Sequence, residues 1–162
     1  MEEKTKLIKP QNTLKKKVGH GGFRSSDLIK AQAAIENNKI DFKPIARDLL
    51  KELSEILSSI DSGQVKPSDS LGVIMYPLMQ LRAQGSLFHY PSITHISDIV
   101  VDFLDSVAVI DSDILEILTA YQKAANAVLS FEIKDASSKV GQDLCDELKA
   151  VCQRYKEAKI KK

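Results

Sequence analysis

Apolar residues recur at spacings of three and four from Leu28 onward, the period of helices with one buried face, and no segment alternates apolar and polar positions with period two. The stretch around which the chain is organised runs from Leu71 to Pro91. Leu71, Ile74, Leu78, Leu81, Gly85 and Phe88 form its seam, spaced like a helix packed inside a bundle. One position further round lie Met75, Met79, Arg82, Ala83 and Ser86, which this register puts at the edge of the core or toward solvent. Pro67-Ser68-Asp69 opens the helix. Pro77 lies inside it and removes one backbone hydrogen bond, so a kink or break is expected between Val73 and Pro77.

The same reading places a short helix after Ser25-Ser26-Asp27, whose side chains can cap it, with Leu28, Ala31 and Ile35 on one face. Asp41 and Pro44 open a longer helix with a broad stripe of Ile45, Leu49, Leu53, Ile56 and Ile60, flanked by Ala46, Leu50 and Leu57. Asp61-Ser62-Gly63 stops it. Pro91 starts a helix faced by Ile93, Ile96, Val100, Phe103 and Val107. Asp111-Ser112-Asp113 caps the next, seamed by Ile114, Leu118, Tyr121, Ala125 and Val128. The last begins near Lys139 and carries Leu144, Leu148, Val151, Tyr155 and Ala158, its lysine-rich end suiting the negative pole of the helix dipole. The expected fold is all-α: an up-and-down helical bundle over residues 25–162, a four-helix core plus extra helices, behind a flexible basic arm over 1–24.

Length and composition change this picture little. A chain of 162 residues, 43% hydrophobic and 28% charged, is ordinary for one globular domain. No apolar run approaches the roughly 18 residues of a membrane span and the Met1-Glu2-Glu3-Lys4 start has no signal-peptide core, so no membrane insertion and a cytoplasmic address are expected. Charge matters more. Residues 1–24 hold seven lysines and arginines against two glutamates, so +5 sits on the arm and, with +1 overall, −4 on the body. The arm reads as a solubilising tail, a docking segment or a contact for an anionic partner. Lys15-Lys16-Lys17 lacks the aromatic interleaving of a nucleic-acid surface, and nucleic acid is not the expected partner.

Candidate chemistry is sparse. Gly19 to Gly22 lacks the lysine and hydroxyl residue of a nucleotide loop. His20, His89 and His95 show neither the spacing of a helical zinc site nor a nearby cysteine, and neither a metal nor a cofactor is expected. Cys145 and Cys152, seven apart on one helix, are about 10 Å apart, too far for a disulfide, and read as core thiols. Asp98, Asp102 and Asp105 read as a solvated helix face. No catalytic residues are identified, and nothing here demands an enzyme.

Met79-Gln80-Leu81-Arg82-Ala83-Gln84-Gly85-Ser86-Leu87-Phe88-His89-Tyr90-Pro91 resembles the signature helix of bacterial histidine phosphotransfer (HPt) domains. It is most similar to an alphaproteobacterial branch reading Ala-His-Asp-Ile-Lys-Gly-Gln-Gly-x-x-Phe-Gly-Tyr-Pro. In an ungapped alignment the family's histidine falls on Met79, its lysine on Arg82 and its glycine on Ala83. Gln84, Gly85, Phe88, Tyr90 and Pro91 match, and His89 replaces a glycine. The segment from Asn12-Thr13-Leu14 to Ala33-Ala34 loosely resembles the start of those proteins.

The resemblance implies a two-component signalling protein that meets a response-regulator receiver or a histidine kinase. In the family an imidazole takes phosphoryl from a receiver aspartate, a basic side chain one turn on balances the charge, and a tiny residue lets the partner approach. A thioether cannot accept phosphoryl in that way, so Met79 implies a pseudo-phosphotransfer adaptor in a phosphorelay, binding without carrying phosphate. The implied contact is Met79, Arg82, Ala83, Gln84 and Ser86, with His89 at its edge. Two alternatives stay open: an active phosphotransfer protein using His89 or His95, and a structural bundle serving as an assembly factor or chaperone. His95 lies one turn from Asp98, where the two could hydrogen-bond. The partner's identity and the oligomeric state are left open by the sequence.

Overall fold

The computed structural model describes Lys17, Gly22 and residues 24–160. Those residues form α1 (Ser25–Glu36), α2 (Phe42–Asp61), α3 (Pro67–Gly85), a 3-10 turn (Ser86–Phe88), α4 (Pro91–Leu104), α5 (Ser112–Ser130) and α6 (Lys139–Ile160). None of the described residues is in a strand. The arm expected over residues 1–24 lies outside the described residues apart from Lys17, Gly22 and Arg24.

The fold is an all-α helical bundle. Helix α2 packs on α3, α3 on α4, α4 on α5 and α5 back on α2, closing a four-helix ring, and α6 lies against α4 and α5. Successive helices run up and down, because the start of one meets the end of its neighbour. Phe42 at the start of α2 stacks on Phe88 just beyond α3, and Lys43 forms an ion pair with Glu132 just beyond α5. Two of the anticipated caps form: Asp41 accepts from the Lys43 N–H at 3.1 Å, and Asp111 from the Ile114 N–H at 3.0 Å.

The seams of α3, α4 and α5 lie largely as the spacing predicts, although Leu71, Phe88 and Val107 are half-buried and Val107 falls beyond the end of α4. Ile74, Leu78, Leu81, Ile93, Ile96, Val100, Phe103, Ile114, Leu118, Tyr121, Ala125 and Val128 are all buried. Helix α2 is turned by one position from its expected register. Ala46, Leu50, Leu53, Leu57 and Ile60 are buried while Ile45, Leu49 and Ile56 are half-buried, because the helix meets α3 on one side and α5 on the other and its stripe is wide enough for both. Ala158, expected in the seam of α6, is exposed. The lysine-rich end of α6 does more than answer a helix dipole: Lys159 pairs with Asp111 at 2.7 Å, and the Tyr155 hydroxyl donates to the same carboxylate at 2.9 Å, pinning the end of α6 to the start of α5.

Pro77 does not break its helix. α3 runs through it as one element, with Pro77 itself buried. A proline costs about 3 kcal/mol in a helix interior. Burial of Ile74, Leu78 and Leu81 around it, roughly 1.5–3 kcal/mol each, outweighs that penalty. The polar core is small and paired. Tyr121 and Ser97, both fully buried, share a hydrogen bond of 2.7 Å, and burial pushes the Tyr121 hydroxyl well above its ordinary pKa although Ser97 partly offsets it. Cys145 and Cys152 are buried free thiols, pushed up in pKa chiefly by that burial.

The chain divides into residues 1–37 and 38–162, so α1 falls outside the bundle unit. Helix α1 has no buried residue, and its Leu28, Ile29 and Ile35 are exposed. Ser25, Ser26 and Asp27, expected to cap it, lie inside its first turn, and the N-cap, Arg24, makes no side-chain cap hydrogen bond.

Candidate protein-docking surface

The segment 82–94 folds as a tight corner in which one helix end is sealed by the next helix start. Thr94 Oγ1 donates to the Arg82 carbonyl at 3.0 Å and accepts from the Ser86 N–H at 2.8 Å, with Ser86 Oγ a further 3.0 Å contact. The Tyr90 N–H donates to the Gly85 carbonyl at 2.7 Å. Gly85 permits this approach: a Cβ there would sit 2.6 Å from Thr94 Oγ1, 2.8 Å from Thr94 N and 2.9 Å from Tyr90 O. His89 closes the turn in the left-handed conformation at φ 65°, which glycine adopts without strain and a side chain adopts at some cost.

Of the six residues expected to meet a partner, four share one face of α3. Met79, Arg82, Ala83 and Ser86 follow one another at spacings of three and one and three, within about 100° of helix circumference. Met79 is 45% exposed, and Ala83 and Ser86 are exposed. Gln84 sits roughly 100° or more away from that face. It is half-buried and donates to Gln80 Oε1 at 2.7 Å, so it belongs to the opposite margin of the helix. His89 is exposed in the turn beyond the helix. Met75 is half-buried against the core.

Three of the four large apolar side chains exposed along this stretch fall outside the expected stripe. Val73 (46% exposed) and Tyr76 (57%) stand out from α3, and Leu87 (40%) from the 3-10 turn that continues it. With Gln80 and Ala83 between them they form a second set at spacings of three and four, running Val73, Tyr76, Gln80, Ala83, Leu87. That set was legible in the sequence as a second seam on a helix that already had one. No acidic or basic residue falls within it. By contrast, the outward residues of α2 include Arg47, Asp48, Lys51, Glu52 and Glu55.

The one charge on the face is already answered. Arg82 Nε forms an ion pair with Asp98 of α4, and its Nη2 lies 3.9 Å from Asp102. Asp98 and Asp102 are therefore a pairing site for α3 and not simply a solvated face. Both partners of the closer pair are a little over one-third exposed, so the pair is a surface feature of modest strength. His95 does not use Asp98 either. Its Nδ1 lies 2.8 Å from the Pro91 carbonyl, one turn back on its own helix.

Among the described residues no group of three or more histidine, cysteine, aspartate or glutamate side chains could hold a metal ion, and no helix is long and apolar enough to cross a membrane. A groove of about 640 Å³ between α2 and α5 is lined by Ser54, Ser58, Thr119 and Gln122 among others, and the Ser58 and Thr119 hydroxyls donate to the Ser54 and Leu115 carbonyls of their own helices. No protein-family model, curated protein or solved structure matches the chain.

Proposed function

We propose that the chain is a protein-docking adaptor of the phosphotransfer-like kind, meeting a response-regulator receiver or a histidine kinase domain through the Met79 face of α3 without carrying phosphate. The observation that carries this reading is the exposure of Met79 on a largely apolar helix face whose one charge, Arg82, is already paired. An adaptable thioether among small and apolar neighbours suits a protein surface. Arg82 supports the part of the reading that excludes phosphate, since Asp98 and Asp102 already balance its charge. His89 supports the resemblance at the helix end: it occupies a left-handed turn position, and the similar helix has a glycine there.

The test uses the full chain with receiver domains phosphorylated by radiolabelled acetyl phosphate. Capture of a receiver is expected, to be lost in Met79→Glu with Arg82→Glu, while no acid-labile, base-stable label accumulates on the chain. Label mapping to His89 or His95 would establish the active alternative. Capture unaffected by the double substitution would favour the structural assembly role.

A further inference from the structure

We infer that the outward face of α3 receives a basic amphipathic helix of a partner protein, its apolar ridge along α3 and its lysines or arginines reaching carboxylates of α2 and α4 on either side. The inference names the chemistry of the partner's contact segment. It rests on this face being the docking face, and not on the partner being a receiver or kinase. Val73, Tyr76, Met79 and Leu87 supply exposed apolar surface along the face. Two rows of carboxylates border it. On α4, Asp98 lies beside Arg82, and Asp102 and Asp105 follow at spacings of four and three, continuing the row as α4 returns along α3. On α2, Ser54, Ser58 and Asp61 line the groove toward α5, so the opposite margin, with Ile45, Leu49 and Ile56 half-buried, meets α3. Asp48 and Glu52 follow Ile45 and Leu49 at a spacing of three, on the exposed edge of that margin. Arg47 and Lys51 fall about 100° or more round the helix from Glu52. Neither row contains a lysine or arginine.

Charge selects the occupant. Arg82 is the one cation between the rows and is already paired with Asp98, so the apolar strip has a negative border on both sides. A second copy presenting the same face would set carboxylates against carboxylates, and an acidic helix would do the same. A helix with cations on both shoulders meets the opposite sign on both. The dimensions agree. Packed helix axes lie about 8–10 Å apart, so the two rows stand roughly 20 Å apart with α3 midway. An α-helix about 10–12 Å across, side chains included, fits between them with its lysines extended to either side. Along the axis, Val73 to Leu87 spans about 21 Å, or about four turns. The footprint of roughly 400 Å² per partner is below the roughly 800 Å² of stable complexes, so the contact is transient and strongest at low salt.

The probe is a synthetic helical peptide of about four to five turns, with leucines spaced three and four apart and lysines on both shoulders. Its counterpart carries glutamate in place of lysine. Each is titrated into the ¹⁵N-labelled full chain. The lysine peptide should bind with a Kd of roughly 10–100 µM at low salt, weakening about tenfold in strong salt. Its amide shifts should concentrate on α3 and on the margins of α2 and α4 beside it, while the glutamate peptide should not saturate. Glu52→Lys with Asp105→Lys should weaken the lysine peptide about tenfold. Asp143→Lys with Glu147→Lys, an equal change of charge at exposed positions of α6, should change it less than about twofold. Four results would each overturn the inference: no saturable binding of the lysine peptide, shifts centred on another face, equal binding of the glutamate peptide, or equal loss in the two charge-reversed proteins. Self-association of the free chain that the peptide does not displace would assign the face to a second copy and overturn it as well. Receiver capture is measured separately, so peptide binding without capture refutes only the phosphorelay reading, and capture without peptide binding refutes only this one.

Discussion

Replacing Gly85 with alanine should destabilise the bundle, whereas the same replacement at Gly72, earlier in the same helix, should stabilise it. Both substitutions swap a flexible backbone for a good helix former, a gain of about 0.5–1 kcal/mol where nothing obstructs the new methyl. At Gly72 nothing lies within 4 Å of the added carbon. At Gly85 three atoms lie closer than 3.0 Å, and two of them, Thr94 N and Tyr90 O, are backbone of the turn into α4. The third, Thr94 Oγ1, is held by its contacts to Arg82 and Ser86 and has little freedom to swing away. Relief requires α3 and α4 to part by about half an ångström, a degree of overpacking that costs about 1–3 kcal/mol. Set against the same gain in helix propensity, the net expectation is a loss of about 1 kcal/mol at Gly85, and at Gly72 a gain of about 0.5–1 kcal/mol. With a urea slope of about 2 kcal/mol per molar, the unfolding midpoints should shift by about −0.5 M and about +0.3 M respectively. A Gly85→Ala protein unfolding at or above the wild-type midpoint would refute the account of the corner, and with it the geometry that sets Ser86 and His89 beside the Met79 face.

The buried Tyr121–Ser97 pair invites a double-mutant cycle. Ser97→Ala alone should cost about 1–3 kcal/mol by stranding the phenol, and adding Tyr121→Phe should recover part of it, whereas simple additivity would mean that the hydroxyls do not depend on each other. Burial raises the pKa of Asp111, but hydrogen bonds from Lys159, the Ile114 N–H and Tyr155 outweigh it and hold the carboxyl below its ordinary value of 3.8. A depressed carboxyl stabilises the fold above its unfolded pKa, and that contribution disappears as pH falls through the folded value. Asp111→Asn should therefore lower the urea midpoint at neutral pH and narrow the gap between about pH 7 and pH 3, and an unchanged gap would contradict the assignment. His89→Gly should raise the thermal midpoint, by up to about 1 kcal/mol of stability, since the left-handed turn suits glycine; a drop would show that the imidazole contributes contacts that outweigh its strain.

Periodicity alone located five bundle helices and, apart from the one-position turn of α2 and the exposed Ala158 of α6, their buried faces, because a helix that packs on one side must repeat apolar residues every three or four positions. It also identified Asp41 and Asp111 as caps, since those hydrogen bonds are made within a few residues of chain. What it could not supply depends on partners distant in sequence. Asp98 neutralises Arg82 only because α4 folds back along α3, and Thr94 demands a glycine at position 85 for the same reason. The persistence of α3 through Pro77 reflects the burial of its neighbours, a gain that exists only once the ring of helices has closed. Helix α1 shows the converse: its pattern is that of a packed helix, yet none of its residues is buried, because local sequence determines which face is apolar and tertiary structure alone determines whether anything covers it.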